Sequence, residues 1–342
     1  MRDGHEPDGS VLDRARAGDE DAFRALTDPY RSELLRHCYR ILGSVQDAED
    51  VVQETLLAAW RALRDVREAA AVRAWLYRIA TNRCLNALRA GRRRVPAAAD
   101  TPSAPNLATA ARDEPVWVQP FPDLLLDGLP DAAAGPEAVY EQRESMELAF
   151  IVGLQHLPPR QRTVLVLRDV MGFRAGEVAQ ILDIGEAAVK SALARAREGL
   201  AARTVPARDR VPRGSTEQEN QVAAAFAAAV EAGDIHRVVT LLAPDARLSM
   251  PPERETYHGR LAIGTFLQAR DRLRGASLRV VPTLGNTQPA LACYLPCPQA
   301  AVARPYGLLV LDVRGGEVVE ITWFADCSVF PHFGLPRLLP LD

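Results

Sequence analysis

The spacing of apolar and polar positions divides the chain into two helical stretches and one stretch rich in strands. Across residues 10–95 an apolar residue recurs every three or four positions, which predicts nearly continuous helix. The same spacing returns over residues 137–204. Beyond residue 218, one or two helices precede apolar runs such as SLRVVPTLG and YGLLVLDV, which are typical of strands. We therefore expect a multidomain protein with two all-α domains and one α+β domain.

Two segments without regular spacing separate these domains. Residues 96–136 are rich in Ala, Pro, Asp and Thr, and residues 205–217 form a second, shorter linker. The expected domains are therefore 10–95, 137–204 and 218–335. The first linker contains the apolar segment PVWVQPFPDLLLD, with Trp117, Phe121 and Leu124–Leu126. Because exposed apolar clusters are a liability, we expect this segment to pack on a folded domain.

Composition narrows the class of protein without naming a function. The chain has 342 residues, of which 48% are hydrophobic and 25% charged, and a formal net charge of −3. No apolar run could span a membrane, and the N-terminus lacks the apolar core of a signal peptide. We expect the five scattered cysteines to be reduced thiols in a cytoplasmic protein. Cys293 and Cys297 lack zinc-knuckle spacing, so we expect no metal site and no cofactor.

The stretch AWLYRIATNRCLNALRAGRRR, residues 74–94, contains no acidic residue although the chain as a whole is slightly acidic. One face of the predicted helix is apolar. The opposite face carries one aromatic, two amide and two guanidinium side chains, namely Trp75, Arg78, Asn82, Asn86 and Arg89. Arg suits phosphates, Asn suits base edges, and Trp can stack on an unpaired base. A basic, solvated helix with a half-buried Trp would show the same pattern.

The preceding helix, SVQDAEDVVQETLLAAW, carries the opposite charge. Ser44 is its expected N-cap, with Asp47 in the first turn. Acidic residues at this end are usually complements of the helix dipole. Other positions already supply an apolar core face, however, so Asp50, Gln53 and Glu54 are expected to point outward. An acidic surface beside a basic one is typical of a protein that contacts DNA with one helix and a basic protein with its neighbour.

Together, DAEDVVQETLLAAW and AWLYRIATNRCLNALR resemble conserved region 2 of the extracytoplasmic-function (ECF) group of bacterial sigma-70 factors. The resemblance implies that the acidic helix docks on the β′ clamp helices of RNA polymerase, through Asp47, Glu49, Asp50, Gln53 and Glu54. It also implies that the next segment melts the −10 promoter element and captures flipped non-template bases. The implied −10 residues are Trp75, Arg78, Asn82, Arg83, Asn86 and Arg89.

A second motif, GFRAGEVAQILDIGEAAVKSALARARE, has the pattern of a helix-turn-helix, although a plain helical hairpin would share it. Asp183 occupies the turn, where its side chain tolerates left-handed backbone. The residues left for the major groove are Glu186, Ala187, Ala188, Lys190, Ser191 and Arg195. The motif resembles sigma region 4, which implies contacts with the −35 element and the polymerase β flap. Ala192 replaces a frequent Arg, which predicts weaker or different −35 contacts.

The C-terminal stretch VAAAFAAAVEAGDIHRVVTLLAPDARLSMPP, followed by YHGRLAIGTFL, resembles the start of a SnoaL-like, NTF2-type cone. MPP before YHGR is similar to the sigma-G-like ECF subgroup. In such folds a ligand pocket forms where the sheet curls over its helices. The candidate pocket residues are Tyr257, His258, Trp323, Phe324 and Asp326. The plainer interpretation is that Tyr257 and Trp323 fill the core.

These resemblances imply an RNA polymerase sigma factor that acts with core polymerase and promoter DNA, with no membrane partner. We expect its last domain to regulate the sigma portion in cis, as a sensor of a small ligand in one version of this hypothesis. The alternative is a bifunctional protein whose last domain is an isomerase- or cyclase-like enzyme with an Asp or His base and a Tyr donor. We favour a non-enzymatic sigma factor.

Overall fold

The computed structural model describes residues 9–66, 68, 71–91, 110–112, 117–126, 143–202, 216–253 and 255–341. Contacts divide the chain into two compact units, each built from two separate parts of the sequence. The helical unit comprises Met1–Ala97 and Leu126–Thr204, and the sheet unit comprises Ala98–Leu125 and Val205–Asp342. Among the described helices, none combines the length and the apolar character that crossing a bilayer requires.

Among the described residues, the first half of the helical unit includes the α-helices α1 (Gly9–Arg16), α2 (Glu20–Leu42), α3 (Val45–Ala62) and α4 (Val72–Gly91). α2 begins where the Asp19 carboxylate accepts a hydrogen bond from the Ala22 N–H at 3.0 Å. It ends at Gly43, whose φ of 75° is the left-handed conformation that favours glycine at this position. Ser44 then caps α3, as predicted, by accepting from the Asp47 N–H at 3.1 Å. α2, α3 and α4 all pack against one another.

The second half of the helical unit consists of α5 (Leu148–Gln155), α6 (Pro159–Leu165), a π-helical segment (Val166–Val170), α7 (Ala175–Leu182) and α8 (Glu186–Ala201). Asp183 ends α7 with φ 53° and ψ 52°, so the left-handed turn predicted at this residue is present. Val178 and Val189 are fully buried where α7 meets α8. The helix-turn-helix predicted from the sequence is therefore formed.

The described part of the sheet unit includes the α-helices α9 (Thr216–Ala232), α10 (Ile235–Thr240) and α11 (Gly259–Arg274). Its strands are β1 (Ala110–Arg112), β2 (Leu242–Ser249), β3 (Glu255–His258), β4 (Arg279–Gly285), β5 (Gln288–Pro296), β6 (Val302–Arg314), β7 (Glu317–Phe324) and β8 (Leu339–Pro340). The strand order is β1-β3-β2-β7-β6-β5-β4, with β8 beside β6. Of these pairings only β2–β7 is parallel.

The sheet and its helices share one apolar core. Phe226 of α9, Ile263 and Phe266 of α11, and Leu309 and Ile321 of the sheet belong to a single buried cluster. The register shifts between β5 and β6 at Cys293/Tyr294, and between β6 and β7 at Asp312/Val313. Such irregularities bend a strand, which lets a sheet curve over its helices. The fold is the α+β, NTF2-like cone that the sequence predicted.

Part of the first linker belongs to the sheet unit. β1 extends the sheet by pairing with β3, with Ala110 opposite Tyr257. Phe121 is fully buried, which confirms the expectation that this apolar segment packs on a folded domain. Trp117 and Leu124 nevertheless remain 54% and 64% exposed. The burial is therefore centred on Phe121 and does not extend over the whole segment.

Candidate nucleic-acid interface

The acid-free helix α4 presents two chemically distinct faces. Leu76, Tyr77, Ala80 and Cys84 are fully buried against the rest of the helical unit. The polar side chains at positions 78, 82, 86 and 89 are exposed, and they belong to Arg78, Asn82, Asn86 and Arg89. Trp75, at the N-terminal end of this stripe, is half-buried. The stripe thus offers guanidinium and amide groups to solvent on a helix whose other face is fixed by packing.

The acidic face of α3 lies beside this basic stripe. Asp47, Asp50 and Gln53 are exposed, and Glu49 is half-buried. Glu54 accepts a hydrogen bond from Arg83 of α4 at 2.5 Å, and the two side chains are 59% and 34% exposed. Two residues expected to bind different partners therefore form one ion pair.

A cluster of buried and half-buried polar and aromatic side chains joins α2 to α4, and the sequence analysis did not identify it. The Tyr77 hydroxyl donates to Glu33 Oε2 at 3.1 Å, and Arg73 pairs with the same carboxylate at 3.4 Å. The imidazole of His37 is buried with Nε2 2.9 Å from Thr81 Oγ1. Burial, together with the nearby charges of Arg40 and Arg73, lowers the pKa of His37 to about 3. His37 is therefore neutral at pH 7.

Side chains from the two halves of the helical unit meet around α2 and α4. The ring of Tyr77 contacts that of Phe173 edge to face at 5.1 Å, and the Arg73 guanidinium lies 5.0 Å from the Phe173 centroid. Arg40 Nη2 donates to Ser145 Oγ at 2.8 Å. Arg162 donates to the Ile41 carbonyl at the end of α2. Arg40 is fully buried, which lowers its pKa to about 10, still well above neutrality.

The second helix of the helix-turn-helix exposes every residue expected to face DNA: Glu186, Ala187, Ala188, Lys190, Ser191 and Arg195. Asp169 of the π-helical segment forms a two-point ion pair with Arg197, at 2.8 and 2.7 Å, which ties that segment to α8. Ala192 is only 8% exposed and packs in the core. Its side chain therefore points away from the exposed residues of α8, and the expectation of weaker or different −35 contacts stays a prediction.

The hairpin between β4 and β5 holds the first linker. Asn286 and Thr287 have φ of 56° and 60°, the left-handed pair required by a two-residue hairpin turn. From this turn, Asn286 Oδ1 accepts from the Phe121 N–H at 2.8 Å, and the Asn286 N–H donates to the Phe121 carbonyl at 2.7 Å. Asp123 Oδ1 accepts from the Thr287 N–H at 2.9 Å. We call these three hydrogen bonds the linker anchor.

The sheet unit also contains a largely apolar cavity of about 630 Å³, including its open mouth, between the helices and the sheet. Of the five candidate pocket residues only Trp323 lines it. Tyr257 instead stacks on Phe266 at 4.4 Å, and Phe324 follows Trp323 on the opposite face of β7. His258 is exposed, and Asp326 caps the helical turn at Cys327–Phe333. The structure therefore does not gather these five residues into one site.

Comparisons with known proteins give these surfaces a family. Residues 26–94 match the Sigma-70 region 2 model, and residues 147–200 match Sigma-70, region 4. The ECF RNA polymerase sigma factor SigG of Mycobacterium tuberculosis (strain ATCC 25618 / H37Rv) is 42% identical over 327 residues, which cover 95% of this chain and 86% of SigG. SigW of Bacillus subtilis (strain 168) is 30% identical over 55% of this chain and 92% of its own length.

A solved structure agrees with these relatives. The crystal structure of the Mycobacterium tuberculosis ECF sigma factor SigJ superposes with a TM-score of 0.59 at 26% identity, over 93% of this chain and 99% of SigJ. The family implies core RNA polymerase and promoter DNA as partners. Because it is 42% identical to SigG over 95% of its own length, the protein belongs to the ECF group of sigma-70 factors, which direct RNA polymerase to promoters and initiate transcription.

Proposed function

We propose that the exposed stripe of α4 holds the melted −10 strand and that the exposed residues of α8 read the −35 element. The observation that supports the first assignment is the exposure of Arg78, Asn82, Asn86 and Arg89 on a helix whose other face is buried. Taking a base out of the stack costs a few kcal/mol. Stacking on an aromatic side chain recovers about 1–3 kcal/mol per base, and Trp75 provides such a surface.

The double variant Arg78→Ala/Asn82→Ala tests the −10 assignment. We expect open-complex formation, measured by permanganate reactivity of −10 thymines, to fall at least tenfold. Affinity for core polymerase should change less than twofold, because these residues lie outside the acidic face. Arg31→Ala is the matched control, since Arg31 is an exposed cation on α2 away from the stripe. Wild-type permanganate reactivity in the double variant would remove the assignment.

For α8, we expect Lys190→Ala to weaken binding to −35 DNA and to reduce the salt dependence of binding by about one released counterion.

For α3, we propose that the β′ clamp helices bind the acidic face and that the β flap contacts region 4. Asp50→Arg should then weaken holoenzyme assembly while the helical content stays unchanged, because Asp50 is exposed. Unchanged affinity of this variant for core polymerase would contradict the proposal.

We further propose that the helical unit described above is a closed state. Promoter positions −10 and −35 are about 25 base pairs, or about 85 Å of B-form DNA, apart. One compact unit cannot reach both elements, so the contacts of Phe173 and Ser145 with the first half must break for promoter binding.

We propose that the C-terminal domain regulates this opening in cis through the linker anchor. The observation that carries the proposal is that the chain between the two sigma domains is itself part of the sheet unit. Because Phe121 is held at the β4–β5 turn, the linker length available to regions 2 and 4 depends on whether the anchor is closed. Anything that stabilises the anchored form differentially will shift the balance between the two states.

The variants Asn286→Gly and Asn286→Asp distinguish the effect of losing the linker anchor from the effect of disturbing the β4–β5 turn. Glycine keeps the left-handed backbone and removes the side-chain acceptor for the Phe121 N–H, whereas Asp keeps an acceptor oxygen. We expect Asn286→Gly to change transcription from a cognate promoter at least threefold and Asn286→Asp to change it less. Limited proteolysis within residues 117–126 reports whether the linker is released. Released linker with wild-type transcription would refute the regulatory role.

The alternative of an isomerase- or cyclase-like domain has little chemical support. The described residues that line the cavity include Arg270, Arg274 and Tyr306, but they offer no carboxylate or imidazole as a base. The non-enzymatic interpretation therefore remains the one we propose.

A further inference from the structure

The cavity of the sheet unit has an apolar interior with a cationic side chain at its mouth. Phe226, Met250, Leu309 and Ile321 belong to its inner wall, and Trp323 and Tyr306 are only partly buried. Gly307 brings Trp323 close to the sheet, since a Cβ at this position would lie 2.8 Å from the indole ring. The wall is therefore apolar and leaves open space between the helices and the sheet.

Arg270 and Arg274, which both line this cavity, differ in their hydrogen bonds and ion pairs. Arg274 donates through Nε to the Ala276 carbonyl at 2.6 Å and pairs with Asp271, and its side chain is only 9% exposed. Arg270 is exposed, and its guanidinium lies 6.0 Å from the Phe266 ring centroid. Within the described residues, Arg270 has no ion pair or side-chain hydrogen bond. Arg270 thus offers an available cation where apolar wall meets solvent.

One acidic group acts on Arg270 without pairing with it. Desolvation raises the pKa of the Glu253 carboxyl, and the charge of Arg270 partly opposes that rise. No salt bridge joins the two side chains in the described part of the chain. A ligand anion at the mouth would therefore meet an unpaired guanidinium with one competing carboxyl nearby.

We propose that this cavity binds an amphipathic anion, with an unbranched or aromatic apolar body in the interior and a single carboxylate held by Arg270. Contacts between the apolar body of the ligand and the apolar wall of the cavity provide the affinity. The charge-assisted hydrogen bond from the Arg270 guanidinium to the carboxylate fixes the orientation of the ligand. Binding does not depend on cis regulation. Its effect on transcription does rest on the proposed function, since a ligand shifts the anchored state only by binding the two states unequally.

Calorimetry of the full chain with straight-chain carboxylates from hexanoate to dodecanoate tests the site. We expect saturable binding of decanoate, with affinity rising about fourfold per methylene until the cavity is filled. Decanol, which lacks the charge, should bind at least tenfold more weakly. Leu267→Trp fills the cavity and should abolish binding. No saturable binding, or equal affinity for decanol, would overturn the proposal.

Charge variants identify the group that holds the carboxylate. Arg270→Gln should weaken decanoate binding at least tenfold, and Glu253→Gln should strengthen it because a competing carboxyl is removed. Arg272→Gln is the matched control, an exposed cation on the same helix that does not line the cavity. Equal affinities of Arg270→Gln and Arg272→Gln would overturn the role of Arg270. Decanoate binding with unchanged transcription would instead refute only its regulatory consequence.

Discussion

His37 shows how a single buried side chain sets the pH response of the helical unit. Its pKa is about 3 in the folded protein and 6.5 as a free side chain. Between these values the unfolded chain binds a proton that the folded chain excludes. The stabilising contribution is therefore complete above pH 6.5 and is lost as pH falls towards 3, by up to about 1.4 kcal/mol per pH unit.

We predict that His37→Gln flattens this pH dependence. Gln can still reach the Thr81 hydroxyl, which accepts or donates at 2.9 Å to the imidazole, but it does not titrate. Urea unfolding at pH 7 and pH 5 measures the difference in free energy for each variant. His236→Gln, at an exposed site in the sheet unit, should keep the wild-type slope. A wild-type slope in His37→Gln would contradict the prediction.

Asp183 provides a second test at this scale, because its backbone conformation decides which side chain is tolerated. Its φ is 53°, which costs a residue with a Cβ about 1–2 kcal/mol. We predict that Asp183→Gly is at least as stable as wild type, whereas Asp183→Ala is about 1 kcal/mol less stable than the glycine variant. Urea midpoints of the two variants measure this difference. Equal midpoints would show that the turn is not strained.

Individual residues also show what the sequence could and could not reveal. Asp183 was predictable, because a polar residue between two apolar-spaced helices signals a turn. The cluster of Glu33, His37 and Tyr77 was not, because helical spacing treats polar side chains as exposed. The burial of Tyr77 depends on a partner far along the chain, Phe173. The burial of Ala192 was not predictable either, since a family pattern does not state which way a side chain points.

At the scale of elements, an ion pair joins the acidic face of α3 to α4, beside the stripe. Glu54 and Arg83 are both substantially exposed, and such pairs contribute about 0–1 kcal/mol. We predict that the swap Glu54→Arg/Arg83→Glu changes the free energy of unfolding by less than about 0.5 kcal/mol. Core polymerase binding and promoter melting should both fall, because each surface then carries the wrong charge. A double-mutant cycle with a coupling above about 2 kcal/mol would contradict this account.

Some strands can be predicted from their own sequence, whereas others form only because a neighbouring strand is present. β4 to β7 coincide with apolar runs visible in the sequence, because their side chains line the core. β1, with the sequence AAR, has no strand pattern and is extended only because the edge of β3 offers hydrogen-bonding partners. The residues that line the cavity likewise could not be predicted from local sequence alone. Trp323 and Phe324 are neighbours in sequence, and only the folded strand decides which of them faces the cavity.

At the scale of the whole molecule, opening of the helical unit can be measured directly. Phe173 is 5% exposed and contacts both Tyr77 and Arg73. Truncating a buried Phe typically costs about 3–5 kcal/mol. We predict that Phe173→Ala favours separation of the two sigma domains, seen as a larger radius of gyration in small-angle scattering. Helical content by circular dichroism should stay constant. An unchanged radius would contradict the closed-state proposal.

The interleaved course of the chain also affects the order in which the protein is made. Phe121 and its partner Asn286 are 165 positions apart. At about 5–20 residues per second, the ribosome adds Asn286 roughly 8–30 s after Phe121. Region 4 is completed within that interval, before the turn that will hold the linker exists. Each newly synthesised copy therefore passes through a period with its linker unheld, and the speed of translating the last domain sets how long that period lasts.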